Sequence, residues 1–168
     1  DALARHELWR PEYGPRLIPI LGDLARSRLG LSSEDFAALA RSVDEIYHNG
    51  ACIDWHEAYA GLRAVNVLGT EEVVRLCAQH RIKPLHYVSS LATLAPLMTA
   101  GGVLRESDEP DWQERDFNLL NTGYIQSKWV AEKKVLLARS RGLPVAVYRP
   151  GFITGDSRRG AWVAPDFF

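Results

Sequence analysis

The stretch KPLHYVSS, residues 83–90, decides the fold class of this chain of 168 residues. It is short, rich in residues that favour β-strands, opened by Pro84 and closed by two serines. These features predict a buried strand that gives way to small polar residues at its carboxyl end.

Helical periodicity flanks this strand on both sides. One long helix is predicted from Glu57 to about Gln79 and another over residues 122–140. Further along the chain in both directions, three more stretches are predicted to be strands, namely RLIPIL (16–21), VDEIYHNGA (43–51) and LPVAVYRP (143–150). The stretch LSSEDFAALARS (31–42) is predicted to be a helix that Ser32 caps. Strands that alternate with long helices predict a parallel sheet with right-handed crossovers, which is an α/β, Rossmann-type doubly wound architecture.

In such sheets the ligand binds beyond the carboxyl ends of the strands. The predicted strand ends are Gly22-Asp23, Asn49-Gly50-Ala51, Ser89-Ser90 and Pro150-Gly151. A dinucleotide fold begins with a strand and a glycine-rich phosphate loop, but the sequence contains no GxGxxG. We therefore expect the first strand, that loop and a C-terminal substrate domain to lie outside this chain, so that residues 1–168 form part of an NAD(P)-binding domain.

Composition narrows the function classes. The net charge of −1 gives no general attraction to nucleic acid or to an anionic membrane, and no apolar run is long enough to span a bilayer. The five histidines lack metal-ligand spacing, so no metal site is expected. Cys52 and Cys77 lie in apolar surroundings without a CxxC spacing, which predicts two buried thiols and a cytoplasmic protein.

The stretch GYIQSK (123–128) carries the chemistry. Tyr124 and Lys128 are four residues apart and share a helix face, so we expect the ammonium to lower the phenol pKa and make Tyr124 a proton donor. Ser90 is placed at a strand end, where its hydroxyl can hold the same substrate oxygen. Taken alone, the Tyr-Lys spacing also describes a solvated helix face. The Ser89-Ser90 and Arg149-Pro150-Gly151 strand ends make the pattern specific.

Together these stretches resemble the extended short-chain dehydrogenase/reductase superfamily over nearly the whole chain. More narrowly, the chain is similar to the thioester reductase domains in LWRPEYGPRLIPILGDLARSRLGLS (8–32), VDEIYHNGACIDW (43–55), LRAVNVLGTEEVVRLC (62–77), KPLHYVSS (83–90), GYIQSKWVAEKKV (123–135) and GLPVAVYRPGFITGD (142–156). Such domains end many nonribosomal peptide and polyketide synthetases and occur in carboxylic acid reductases.

The resemblance implies a role for each matching residue. Tyr124 is expected to donate the proton, and Lys128 to hydrogen-bond the nicotinamide ribose and tune Tyr124. Ser90 stands where the family most often has Thr. Asn66 has two open interpretations, a structural amide or a catalytic residue. The remaining cofactor contacts implied are Asp23 and Leu24 at the adenine, Asn49, Gly50 and Ala51 along the dinucleotide, and Pro150, Gly151 and Ile153 near the carboxamide.

The implied function is NADPH-dependent reduction of an acyl thioester, carried on the phosphopantetheine arm of a carrier protein, to an aldehyde or alcohol. One alternative is a nucleotide-sugar epimerase or dehydratase of the same superfamily. The other is an inert fragment or interaction module. Because the glycine-rich loop is absent from the sequence, we expect the chain alone to bind NADPH poorly and to be inactive.

Overall fold

A computed structural model describes residues 2–5, 7–95, 97, 103–109, 112, 122–158 and 160. The chain divides into two compact units, one of Gly22–Gly151 and one of Asp1–Leu21 with Phe152–Phe168. The second unit contains the short helix α1 (Ala2–Arg5) and a 3-10 turn over Pro11–Arg16, where Trp9 packs edge-on against Tyr13 with ring centroids 6.0 Å apart. Among the described residues, no helix is both long and apolar enough to cross a membrane.

The unit of residues 22–151 is built on a parallel sheet. Within the described residues its strands are β1 (Ile46–His48), β2 (Leu85–Val88) and β3 (Val145–Tyr148), in the order β1-β2-β3. The sheet confirms the α/β, Rossmann-type prediction, and each of these three strands lies inside a stretch predicted to be one.

Helices connect these strands as the periodicity indicates. They are α2 (Ser33–Ser42), α3 (Tyr59–Arg63), α4 (Gly69–Ala78) and α5 (Gly123–Ser140), with 3-10 turns over Ser27–Gly30 and Leu91–Leu94. The predicted cap of α2 is confirmed, because the Ser32 hydroxyl accepts a 3.0 Å hydrogen bond from the backbone N–H of Asp35. Most of the predicted long loop over 91–120 lies outside the described residues.

The predicted helix 57–79 begins later than expected and is interrupted. It begins at Tyr59, and a π-helical turn over Ala64–Leu68 separates α3 from α4. Such turns contain one extra residue and occur often at functional sites. Hydrophobic spacing did not reveal the turn, since one inserted residue shifts the apolar face without removing it.

The prediction that RLIPIL (16–21) is a strand was wrong. Residues 17–21 have no regular structure, and their large apolar side chains are exposed, Leu21 by 96% and Ile18 by 83%. A strand needs a neighbour to satisfy its backbone hydrogen bonds, and no described strand pairs with this segment. Apolar composition alone therefore misled the prediction.

The core lies between the sheet and the helices α4 and α5. It consists of buried side chains from α4, α5, β2 and the segment before β3, namely Val73, Cys77, Leu85, Tyr87, Ala131, Val135 and Leu143. Cys77 is buried as predicted, and burial raises its pKa to about 11, which makes it an unreactive thiol. Cys52 is exposed, so its predicted burial was wrong. It belongs to the loop after β1, where its backbone N–H and carbonyl form hydrogen bonds with the Asn66 side chain while the residue stays exposed.

Candidate active site

The N-terminus of α5 places Tyr124 in the first turn of the helix. The hydroxyl of Thr122 caps this end by accepting a 3.4 Å hydrogen bond from the N–H of Ile125. Gly123 packs directly on the backbone of residues 57–59, which leads into α3, so closely that a Cβ at this position would overlap the backbone atoms. The glycine therefore lets α5 begin against α3 and fixes the position of Tyr124.

Tyr124 is buried in an aromatic cluster. The cluster combines Tyr124, which is 9% exposed, with Leu62, Trp112 and Ile125, and Ala92 packs against it. The ring of Trp55 lies 5.0 Å from that of Tyr124, centroid to centroid. Since Ala92 belongs to the turn that Ser90 caps, this cluster joins the segments that carry the predicted serine and tyrosine.

Lys128 lies one turn further along α5 and is only 4% exposed. Its ammonium donates a 2.7 Å hydrogen bond to the carbonyl oxygen of Val88 and lies 4.6 Å from the ring centroid of Tyr87. Burial lowers the pKa of Lys128 to about 8, an effect that the carboxylate of Glu132 partly offsets. The residue is therefore a buried cation and not part of a solvated helix face.

The expected lowering of the Tyr124 pKa is wrong in this structure. Burial raises the pKa of the phenol above its ordinary value. Lys128 directs its ammonium to the end of β2 instead, and among the described residues the Tyr124 hydroxyl has no hydrogen-bond partner. Helical spacing predicts a shared face, but the length of a lysine side chain lets its charge act elsewhere. Tyr124 is thus a protonated donor at neutral pH.

The two serines after β2 have different surroundings. Ser90 caps the 3-10 turn Leu91–Leu94, where its hydroxyl accepts a 3.2 Å hydrogen bond from the N–H of Ala92 and keeps its own proton available. The Ser89 hydroxyl is buried and donates to the carboxylate of Glu132. The structure therefore leaves Ser90, rather than Ser89, free to donate to a substrate.

Sequence reasoning missed Glu132, which is completely buried. Arg149 donates to its Oε1 from Nε at 2.9 Å and from Nη2 at 2.6 Å. A signal was present, because Glu132 follows Lys128 at the same four-residue interval that separates Lys128 from Tyr124. All three therefore lie along one face of α5.

Asn66 acts as a structural amide. Its Oδ1 accepts a 2.7 Å hydrogen bond from the N–H of Cys52, and its Nδ2 donates to the Cys52 carbonyl and to the Ser127 hydroxyl, each at 2.9 Å. The side chain thereby ties the loop after β1 to α5 from within the π-helical turn. The structural interpretation is supported by these bonds, which occupy the amide on both sides.

The predicted adenine and dinucleotide segments lie together. A Cβ at Gly50 would approach Cδ1 of Leu24 to 2.8 Å, and one at Gly69 would approach the Leu24 carbonyl oxygen to 2.7 Å. Because Gly50 and Gly69 lack side chains, Leu24 can pack at the end of β1. The neighbouring Asp23 forms a turn in which its Oδ1 accepts a 2.8 Å hydrogen bond from the N–H of Ala25. Asn49 is exposed and Ala51 is half-buried at the same strand end.

The ends of β2 and β3 are also adjacent. The N–H of Leu91 donates a 3.0 Å hydrogen bond to the carbonyl of Pro150, which places Pro150 and Gly151 beside the segment containing Ser90. Ile153 is 85% exposed and belongs to the other unit of the chain. The structure thus brings the residues that follow β1, β2 and β3 to one edge of the sheet, with Leu24 packed beside Gly50.

A nicotinamide cofactor fits this edge at its nicotinamide end. Lys128 keeps further N–H groups to donate beyond its bond to Val88. Among the atoms of the described residues, a Cβ at Gly151 would meet only Cδ2 of Leu91, at 4.0 Å, so the backbone there is open to close approach. The absent GxGxxG means that the fit does not extend to the pyrophosphate. Within the part of the chain that is described, no three His, Cys, Asp or Glu side chains are grouped to hold a metal ion.

Comparison with known proteins agrees with this geometry. The NAD-binding family model described as Male sterility protein matches residues 1–168. A linear gramicidin synthase from Brevibacillus parabrevis is 49% identical over 160 residues, which are 95% of this chain and 3% of that protein.

Two solved structures extend the comparison. The terminal R domain from the myxalamid PKS-NRPS biosynthetic pathway has a TM-score of 0.85 and 45% identity, over 98% of this chain and 40% of that one. A thiolation-reductase di-domain from an archaeal nonribosomal peptide synthetase has a TM-score of 0.64 and 27% identity, over 84% of this chain and 29% of that one. The chain therefore belongs to the Male sterility protein family of NAD-binding proteins, and it is similar to the reductase domains of nonribosomal peptide and polyketide synthetases.

Proposed function

We propose that this chain is part of an NADPH-dependent reductase that releases an acyl group from a carrier-protein thioester as an aldehyde or alcohol. In this proposal residues 1–168 form part of the NAD(P)-binding domain. The observation that carries it is the placement of Lys128 against Val88, two residues before Ser90, with Tyr124 one helical turn away. The presence of a hydroxyl, a phenol and a cation on these adjacent segments supports reduction of a carbonyl, which needs donors at the oxygen and a group that holds the cofactor.

Each of these groups has a defined task in the proposed reaction. The cofactor, when bound, supplies the hydride to the thioester carbonyl carbon. Ser90 and Tyr124 donate hydrogen bonds to the carbonyl oxygen as it gains negative charge. Because burial keeps Tyr124 protonated, it is available as a donor at neutral pH. Collapse of the tetrahedral species then releases the thiol of the phosphopantetheine arm and the aldehyde.

Lys128 would hold the nicotinamide ribose. Its bond to Val88 fixes the ammonium at the carboxyl end of β2, where a cofactor would lie in a parallel α/β sheet. Pro150 and Gly151 would approach the carboxamide, since the backbone beside Gly151 is open. At the other end Asp23, Leu24, Asn49, Gly50 and Ala51 would border the dinucleotide.

A carrier domain is the proposed partner. Support comes from the similar solved di-domain, which joins a thiolation domain to a reductase in one chain, and from the similar gramicidin synthase. An acyl group delivered on such an arm needs a site at an accessible edge of the sheet. Support for delivery at this edge comes from its exposure, since Gly151 is exposed and Ser90 and Pro150 are half-buried.

The test is turnover of an acyl-loaded carrier protein by the full-length protein. Loss of NADPH absorbance should accompany formation of aldehyde or alcohol, identified by mass spectrometry, with NADH consumed more slowly. The control is the acyl-loaded carrier protein incubated without cofactor. No reduction of any acyl carrier would overturn the proposal, and turnover of a nucleotide sugar instead would favour the epimerase alternative. Absence of both activities, together with no cofactor binding, would favour the inert module.

A further inference from the structure

Glu132 connects three segments of the proposed site. It lies on α5, is completely buried, and its Oε1 accepts two hydrogen bonds from Arg149 at the end of β3. Its Oε2 accepts the hydroxyl of Ser89 at the end of β2. One carboxylate thus joins α5 to the carboxyl ends of two adjacent strands, through charge-assisted hydrogen bonds.

Thr93 extends this connection to Ser90. The Thr93 hydroxyl lies 2.8 Å from the carbonyl oxygen of Ser90 and 3.1 Å from Oε2 of Glu132. It has a single proton, which it can donate to either oxygen. The residues on both sides of Ser90 are therefore held by the same carboxylate, directly through Ser89 and, further along, through Thr93.

Glu132 also contributes to the electrostatic surroundings of Lys128. The groups that face the lysine are Tyr87 from β2, His48 from β1 and Glu132 from α5. Burial lowers the pKa of His48 to about 4, with a further lowering by the charge of Lys128, so His48 is neutral near pH 7. The carboxylate of Glu132 is thus the negative charge that favours the protonated form of Lys128.

We propose that Glu132 is a positioning residue of this active site, which orients Ser90 through Ser89 and Thr93 and maintains the positive charge of Lys128. This proposal rests on the proposed function. A buried ion pair that serves only folding is the alternative. Replacing such a pair with neutral groups would then leave the chemistry unchanged once the protein is folded.

The central experiment replaces Glu132 by glutamine in the full-length protein. The readouts are the affinity for NADPH, measured by fluorescence between pH 6 and 10, and the turnover of an acyl-loaded carrier. Affinity and turnover should both fall at high pH as Lys128 loses its proton, and we call this fall the alkaline limb of each pH profile. Removing an opposite charge close to Lys128 should move the alkaline limb by about one pH unit to lower pH. Glu71→Gln is the matched control, because it makes the same change at an ion pair between α4 and Lys134 of α5, outside the site.

Two further variants separate positioning from folding. Glu132→Gln leaves Arg149 without its partner, so Glu132→Gln/Arg149→Gln removes both charges and should recover melting temperature without restoring the alkaline limb. Thr93→Val keeps the shape of a fully buried side chain and removes only the hydroxyl between Glu132 and Ser90. It should lower turnover several-fold and leave the alkaline limb in place, because Glu132 remains.

The outcomes distinguish this proposal from the proposed function. If the wild-type protein reduces no thioester, the proposed function is wrong. The pH dependence of NADPH affinity then still tests the role of Glu132. The Glu132 proposal is overturned if the single and double variants keep the wild-type alkaline limb. It is also overturned if Thr93→Val has wild-type turnover. Should neither Glu132 variant fold, the Thr93→Val result decides the matter.

Discussion

The ammonium of Lys128 donates a 2.7 Å hydrogen bond to the carbonyl oxygen of Val88. This bond joins the second turn of α5 to the last residue of β2. The contact therefore holds the ammonium of a residue four positions after Tyr124 at the carboxyl end of β2.

Lys128→Ala should lower both NADPH affinity and turnover in the full-length protein. Because the pKa of Lys128 is about 8, the wild-type affinity should also fall as pH rises through that value and the ammonium loses its proton. Lys134→Ala, on the exposed side of the same helix, is the control. An unchanged affinity in Lys128→Ala, measured by fluorescence titration, would remove the residue from the site.

Tyr124→Phe should abolish most thioester reduction and leave NADPH affinity near normal. The substitution removes only a hydroxyl that has no hydrogen-bond partner among the described residues, so the buried ring should keep its packing against Trp55. Tyr47→Phe, at a residue 68% exposed on β1, controls for loss of a phenol elsewhere. Wild-type turnover in Tyr124→Phe, assayed with an acyl-loaded carrier, contradicts the assigned role.

Ser90→Ala should reduce turnover by about 100- to 1,000-fold, the usual effect of removing a donor to a developing oxyanion. Ser90→Thr should be tolerated, since it keeps the hydroxyl and adds one methyl group. Ser89→Ala should lower stability by about 1.5–3 kcal/mol, because it removes a buried hydrogen bond to a carboxylate, and should lower turnover only several-fold, since Ser89 acts through Ser90. Parallel turnover and melting measurements decide between the two serines, and a larger turnover loss at Ser89 would show that the wrong one was assigned.

His48 should make stability depend on acid pH. Its Nε2 lies 2.9 Å from the Thr70 hydroxyl. Because that hydroxyl donates its own hydrogen bond to the carbonyl of Asn66, the neutral His48 ring donates from Nε2. Burial lowers the pKa of His48 from 6.5 to about 4, so the unfolded state takes up a proton first and stability falls as pH drops through this range. At about 1.4 kcal/mol per tenfold change in proton affinity, the loss is roughly 3 kcal/mol.

His48→Gln supplies the comparison, since its amide can also donate to Thr70 without titrating. Free energies of unfolding measured by urea at several pH values should show a steeper decline in the wild type than in the variant. Parallel declines would mean that other groups cause the acid sensitivity.

Gly123→Ala should destabilise the protein by about 3 kcal/mol, because its Cβ would overlap the backbone of residues 57–59, which cannot move without displacing α3. Gly61→Ala is the matched control. There the three atoms nearest to the new methyl all belong to the flexible side chain of Glu57, and alanine favours the helix. Thermal unfolding compares the two, and equal stabilities would show that α5 can begin further from α3.

The sequence was sufficient to predict the elements around the site because each has a strong local pattern. The apolar strand of residues 83–90, the long helix of residues 122–140 and the Ser32 cap are all set by neighbouring residues. The segment 16–21 has the same apolar composition as a strand, but strand formation depends on a partner that composition does not reveal.

For the candidate site, the positions at the strand ends could be predicted, but the side-chain contacts could not. Strand ends that meet in a parallel sheet could be expected to bring Ser90 towards Pro150, and the structure places their segments side by side. The bond from Lys128 to Val88 and the network of Glu132 with Arg149 depend on side-chain reach and burial. Such properties follow from tertiary packing, so the raised pKa of Tyr124 was not foreseen.

The π-helical turn over Ala64–Leu68 makes the chain sensitive to length at one point. Each residue of a helix advances it by about 100°, so deleting one residue here would restore a regular α-helix and rotate everything on one side of it. Asn66 and Thr70 could then no longer face Cys52 and His48 at the same time. A single-residue gap, which most surface turns tolerate, would therefore be more harmful at this turn than many substitutions. Related sequences in this family should accordingly conserve the number of residues over 64–68.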